Sequence, residues 1–288
     1  MRPIGMRRLL AALPLAALAL AACGDGVSVG TDPSPSPTPA SGAYAANEIV
    51  LRIVTSGGLV PQEYAFSQLP EVAIYGDGRV FSVGAQPAIF PGAALPPLLV
   101  TRIEPSRLPG LVADAKAAGV DGEQRDYGQP RITDVGTTTF WANDGAQTYQ
   151  TSVYALGVDG AGSDGITTEQ AAARTKLREL RDELTALGDA GDAAFEPTSV
   201  AVWARAYQRP EEAHLAQQPK AWPGPDPATG TTFASGRCFV VTGADLATAL
   251  PEIRKANGLT PWTFAGQTYA MSFRPMLPDE TACIPDYS

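Results

Sequence analysis

The chain contains one histidine, His214, in the polar run Arg209-Pro210-Glu211-Glu212-Ala213-His214, and this narrows its chemistry at once. A Ser-His-Asp triad would have to be built on that residue, and within residues 48–288 no Gly-x-Ser-x-Gly elbow is present to pair with it; the match at Gly26 to Gly30 lies in the Pro- and Ser-rich stretch after Cys23, away from any strand-to-helix pattern. No Ser-x-x-Lys precedes any lysine, which removes a penicillin-recognising serine site as well. The residues left for acid–base work are Asp126 and Asp134, which bracket Tyr127 and Arg131 in one polar loop. That loop also reads as a salt-bridged segment folding over a hairpin, the more economical account. Trp222, in the irregular stretch Ala221-Trp222-Pro223-Gly224-Pro225, is a candidate for stacking on a glycan or partner, or else an anchor of its loop on the core.

Two nucleotide- and metal-like patterns fail on inspection. Gly160 to Gly165 fits Gly-x-Gly-x-x-Gly, but residue 185, where an acid should end the next strand, falls within a helical pattern. Read from Asp159 as a calcium loop, the same stretch has Ala161, Ser163 and Gln170 where ligand oxygens are needed. Without a His or free-Cys cluster no metal site and no cofactor are expected.

Three cysteines remain to be assigned. The residues preceding Cys23 comprise Arg2, Arg7 and Arg8, then an apolar run from Leu9 to Ala22, the order of an export signal. At 14 residues the run is short of the ~20 needed to span a bilayer. The segment Leu20-Ala21-Ala22-Cys23 resembles the lipobox of bacterial lipoproteins, which implies cleavage before Cys23 and acylation of that cysteine with palmitate-type chains. Each buried CH₂ contributes about 0.8 kcal/mol, so two or more chains suffice for stable anchoring at the extracytoplasmic face of the cell membrane. Cys238 and Cys283, an even pair in an exported chain, read as a disulfide. It closes a loop of about 46 residues, worth ~4 kcal/mol in the chain-entropy account.

Without residues 1–22 the chain carries 18 basic and 30 acidic residues, a net charge of −12 that disfavours nucleic acid. Arginine exceeds lysine 17 to 4, with abundant Ala, Gly and Pro, the composition of a GC-rich bacterium such as an actinobacterium.

These residues have to be positioned by elements that the pattern marks in order. Residues 23–47, with Pro33, Pro35, Pro37 and Pro39 among Ser, Thr and Ala, read as an extended tether. From Glu48 a β-branched run predicts a strand, and Gly76-Asp77-Gly78 a hairpin turn. A helix follows, capped by Ser106 and ended by Gly119, then a second hairpin about Asn143-Asp144-Gly145. Thr167 with Gln170 forms a capping box for a long helix striped by Leu177, Leu180, Leu184 and Leu187. Residues 189–197 read as a linker. Beyond it come two strands, a helix with Thr242 and Asp245 placed to cap its start and a kink or a break into two short helices expected at Pro251, and a closing hairpin.

Gln-Thr-Tyr-x-x-Ser occurs twice, at Gln147 to Ser152 and Gln267 to Ser272, each time after a Trp-bearing strand and a turn. Either an ancestral duplication or the ordinary composition of hairpins explains this, and equivalent strand orders would be the mark of the former. Residues 48–187, with their leading strand, Tyr-Gly-Asp-Gly-Arg-Val hairpin, helix, Asp-Tyr loop and Thr-Thr-Thr-Phe hairpin, resemble a bacterial domain of unknown function found in secreted lipoproteins. A cysteine pair common near the first strand of that family is absent here, and the resemblance implies no catalytic residues.

The reading is therefore an α+β protein of two packed domains, residues 48–188 and 198–288, each a mainly antiparallel sheet covered by helix, the second holding the disulfide. The expected role is that of a membrane-anchored extracytoplasmic lipoprotein, non-catalytic, that binds a partner or ligand, an envelope protein or glycan among them, or is structural in the envelope. An extracytoplasmic hydrolase with a carboxylate site and a small-ligand carrier with a cavity between the domains are the alternatives.

Overall fold

The computed structural model describes residues 44–158, 164–189, 193–285 and 287. The signal segment, Cys23, most of the tether and the glycine-rich stretch at 159–163 lie outside them.

The first half alternates as its pattern demands. β1 (Ile49–Ser56) is followed by α1 (Gln62–Ser67), the hairpin β2 (Val72–Tyr75) and β3 (Arg79–Val83), then β4 (Leu98–Arg102) and α2 (Leu108–Ala118). A second hairpin, β5 (Thr137–Asn143) and β6 (Thr148–Tyr154), leads to α3 (Thr168–Asp189). These strands, with the short β7 (Ala193–Ala194), form an antiparallel sheet in the order β6-β5-β1-β2-β3-β4-β7. The period of two sorts its side chains. Val72 and Ile74 join Leu51, Ile53 and Phe140 against Leu111 and Val112 of α2 and Leu177, Leu180 and Leu184 of α3. Ala73 and Tyr75 face the other way, with Phe81 and Leu98.

The second half contains β8 (Ser199–Ala206), β9 (Lys220–Ala221), β10 (Thr231–Phe233), β11 (Gly236–Thr242), α4 (Gly243–Arg254) and the hairpin β12 (Pro261–Phe264) and β13 (Gln267–Pro275). Its sheet runs β10-β11-β8-β13-β12-β9, antiparallel except for the β12–β9 pair. Val200, Val202 and Ala204 pack on Leu246, Ala249, Leu250 and Ile253 of α4, and the alternate residues Ala201 and Trp203 point to the opposite face with Cys238.

The chain is thus α+β, with two mainly antiparallel sheets, each carrying helix on one face. The two are tied closely, and the described residues cluster as one compact unit. α1 and the C-terminal tail each serve both inner faces. Phe66 and Met276 join the cluster about Trp203, while Leu69 and Leu277 join the one about Tyr75. Ala94, from the 84–97 loop of the first half, is part of the core beside α4, held by its amide donating to Ala256 O at 3.1 Å.

Several expectations need correction. The stretch expected to link two domains adds β7 to the first sheet and sets Phe195 edge-on to Phe81 at 4.9 Å. Ser106 does not cap α2: it lies in a 3-10 turn, Pro105–Arg107, that runs directly into the helix, so the first amides are met by turn carbonyls. Gly119 does end α2, in the left-handed region at φ 117°. Thr242 precedes α4 in extended conformation, with no side-chain hydrogen bond to a helix amide. Pro251 does not split α4, which continues to Arg254; near the C-terminus the loss of one amide donor is tolerated because Leu250 and Ile253 are buried on either side of it. The Gln-Thr-Tyr strands hold different places. β6 is an edge strand outside β5, whereas β13 lies inside its sheet between β8 and β12. The order of the hairpin is inverted between the halves, the outcome that speaks against duplication.

Candidate binding cleft

The residues singled out by sequence do not converge. Trp222 is 4% exposed, donates Nε1–H to Pro225 O at 2.8 Å and meets Trp262 edge-on at 5.5 Å, so it anchors its loop rather than presenting a stacking face. Tyr127 is buried with its hydroxyl donating to Gly119 O, and Arg131 is exposed, its amide donating to Asp164 O. Asp126 accepts from Gly128 N and from Gln170 Nε2, the capping-box glutamine, and Asp134 sits at φ 63° beside Thr133. The two carboxylates are therefore spent on loop geometry. His214 is exposed, 3.6 Å from Glu212. Cys238 and Cys283 are bonded, their Cα atoms 6.0 Å apart, which joins the tail to β11.

One concavity was not legible in the sequence. It is an open cleft of about 690 Å³ between α1, the 84–97 loop, the α3 residues Arg181 and Thr185, and Met271 to Phe273 of β13. Its volume lies within the ~300–1,000 Å³ typical of small-ligand sites. α1 has no side-chain cap; it is held by Phe66, which packs on Trp203 at 5.9 Å, and this contact turns Glu63, Tyr64, Ser67 and Gln68 toward the cleft. Opposite, Gly258 N donates to Gly92 O at 2.9 Å and Ala93 bridges to Asn257, fixing the loop that contributes Gln86, Ala93 and Pro96.

Three charged side chains line the cleft, and each is in an ion pair. Glu71 bonds Arg181 Nε at 2.6 Å and accepts from Thr55 Oγ1 at 2.6 Å. Glu63 pairs with Arg205 of β8. Burial opposes the charge of Glu63, yet its own amide and Arg205 outweigh it and hold the carboxyl below the usual range. Large apolar side chains stand exposed nearby. Tyr64 (59% exposed) and Val83 line the cleft itself, and Ile89 and Phe90 (74%) project from the loop. The sequence signal was an apolar Ala-Ile-Phe in a loop rich in Gly, Pro and Ala, a place where burial is not expected.

A second polar assembly joins the two sheets away from the cleft. Arg52 of β1 donates to both oxygens of Asp279 at 2.7 and 2.8 Å, and Tyr75 donates to Asp279 at 2.5 Å. Arg274 of β13, fully buried, pairs with Glu280 at 2.6 Å, and Tyr287 donates to the same carboxylate while its ring lies under Arg52. Two arginines from the sheets are thereby neutralised by two acids of the tail.

Among the described residues no three His, Cys, Asp or Glu side chains are grouped to hold a metal ion, and no helix is long and apolar enough to cross a membrane. No known protein family, curated protein or solved structure matches this chain.

Proposed function

We propose that the protein is a lipid-anchored extracytoplasmic binding protein, tethered through Cys23, that holds a ligand or partner of the envelope in the cleft between α1, the 84–97 loop and β13, and that it does not catalyse. The observation that carries this reading is the state of the cleft's charges. General acid–base work needs a carboxyl free to exchange a proton with substrate, whereas Glu63 and Glu71 are each committed to a guanidinium. Recognition needs a concave surface with some apolar area and fixed polar groups, and the exposed Tyr64 with the bonded hydroxyls of Ser67, Ser82 and Thr185 supplies both. The leader before Cys23 supports the anchor, and the net charge of the mature chain argues against nucleic acid.

Hydrogen exchange tests the reading directly. In native envelope membranes, amides of residues 62–69 and 84–97 are expected to exchange more slowly than in the purified lipidated protein. Replacing Ser272 by Trp, which fills the cleft, is expected to abolish the difference. Equal exchange in both preparations would overturn the assignment of the cleft. Conversion of Cys23→Ser is expected to release the chain from membranes, and undiminished retention would remove the anchor.

A further inference from the structure

We infer that the ligand of the cleft is a neutral, polyhydroxylated molecule, a short oligosaccharide or the exposed run of a polysaccharide. The inference rests on the binding role proposed above and adds the chemistry of what is bound.

Its basis is where four of the cleft's polar side chains already direct hydrogen-bond donors. Ser67 Oγ donates to the carbonyls of Glu63 and Tyr64 at 2.9 and 3.2 Å, and Ser82 Oγ to Gly188 O at 3.1 Å. Thr185 Oγ1 donates to Arg181 O at 2.8 Å, and Gln68 directs its amide nitrogen to Thr55 O. A hydroxyl has one hydrogen and two lone pairs, and a primary amide keeps a separate carbonyl acceptor. Four lining side chains have thus spent donors on the protein's own backbone and keep oxygen acceptors. The surface they form is acceptor-rich and matches a ligand that brings many donors of its own.

Charge narrows the class further. Among the described residues that line the cleft, each charged side chain already faces an opposite charge, Glu71 with Arg181 and Glu63 with Arg205. An ionic ligand would have to compete with the opposite charge already in one of these pairs, whereas a neutral one need not. A pyranose fulfils the remaining requirement. It carries a hydroxyl donor at most ring carbons and an apolar C–H face, and that face suits a ring exposed at the rim, as Tyr64 is. Phe90 offers a second ring in the loop that bounds the cleft.

The test is calorimetric titration of the full lipidated protein in nanodiscs. The probes are a tetramer of N-acetylglucosamine and cellotetraose as neutral ligands, tetragalacturonate as an anionic one and a glucosamine tetramer as a cationic one. Saturable binding of a neutral tetramer is expected, weaker by about tenfold or more in Tyr64→Ala and in Gln86→Ala, each an exposed side chain whose loss leaves the core intact. Tyr64→Phe is expected to keep most of the affinity if the ring stacks on the sugar. Failure of both neutral tetramers to bind, tighter binding of a charged tetramer, or equal affinity in Tyr64→Ala would each overturn the inference. If residues 62–69 and 84–97 are protected in envelope membranes while no saccharide binds, the binding role stands and the sugar falls. If neither is seen, both fall.

Discussion

At the scale of single residues, the most consequential pair is Arg274 with Glu280, whose side chains are 0% and 3% exposed. A buried ion pair is weak evidence of net stability, but breaking it leaves one charge without compensation. Glu280 also accepts from Leu277 N at 2.9 Å and from Tyr287, so its carboxylate organises the turn of the tail. Glu280→Gln is expected to cost ~3–5 kcal/mol in urea denaturation, and Arg274→Leu combined with Glu280→Leu much less. A loss in the single variant below about 1 kcal/mol would mean that Arg274 is solvated in some other way. The tyrosines of this assembly report on pH. Burial first, then Asp279, pushes the Tyr75 hydroxyl far above its ordinary value, and burial with Glu280 does the same for Tyr287. Both are neutral in the fold. Since their folded values are raised, the stability they contribute is complete below the unfolded value of ~10 and is lost as pH rises beyond it. Absorbance titration should therefore show these phenols ionising only as the protein unfolds, and early ionisation in Tyr75→Phe, Tyr287→Phe and wild type alike would contradict this.

At the scale of elements, local chemistry was legible wherever one stretch of chain decides its own structure. The capping box is formed as read, with Thr167 N bonded to Gln170 Oε1 at 2.8 Å and Gln170 N to Thr167 Oγ1 at 3.2 Å, and Leu177, Leu180 and Leu184 are the buried stripe of α3. Thr242, read in the same way, makes no such bond. Thr167→Ala is accordingly expected to lower stability by ~0.5–2 kcal/mol. Thr242→Ala should stay within about 0.5 kcal/mol in the same denaturation series, and the reverse ranking would refute the capping assignment. What could not be read depended on distant partners. α1 is six residues long and has no cap; it exists because Phe66 finds Trp203 across the molecule, and with it the cleft wall exists. The inverted hairpin order of β12 and β13 is likewise a tertiary choice, since either strand could pair with β8 on alternation alone. For Trp222 the sequence leaves a stacking face and a loop anchor both open, because its neighbours are Pro and Gly; the anchor is what forms, with the ring reaching Trp262 and Phe273.

At the scale of the whole molecule, the tail after β13 decides whether the two sheets act as one body. It places Met276 in the cluster about Trp203 and Leu277 in the cluster about Tyr75, sets Asp279 on Arg52 and Glu280 on Arg274, and is then fixed to β11 through Cys283. The apolar and ionic contacts precede the bridge in sequence, so the disulfide closes the strap behind them and limits its excursions when they open. In the chain-entropy account, closing a loop of this size contributes ~4 kcal/mol, chiefly by restricting the unfolded chain. Reduction should act on two levels. Global stability is expected to fall by an amount of that order, and amides of residues 276–283, such as Met276 N on Ser199 O, are expected to lose exchange protection before those of β1 and β8. The pair Cys238→Ser and Cys283→Ser, with no reductant present, should reproduce both effects. If the tail keeps its protection in these variants while global stability falls, the ion pairs alone hold the strap and the bridge acts only on the unfolded chain. If neither changes, the coupling of the sheets resides in α1 and the Ala93 to Asn257 bridge, and the tail is not the element that joins them.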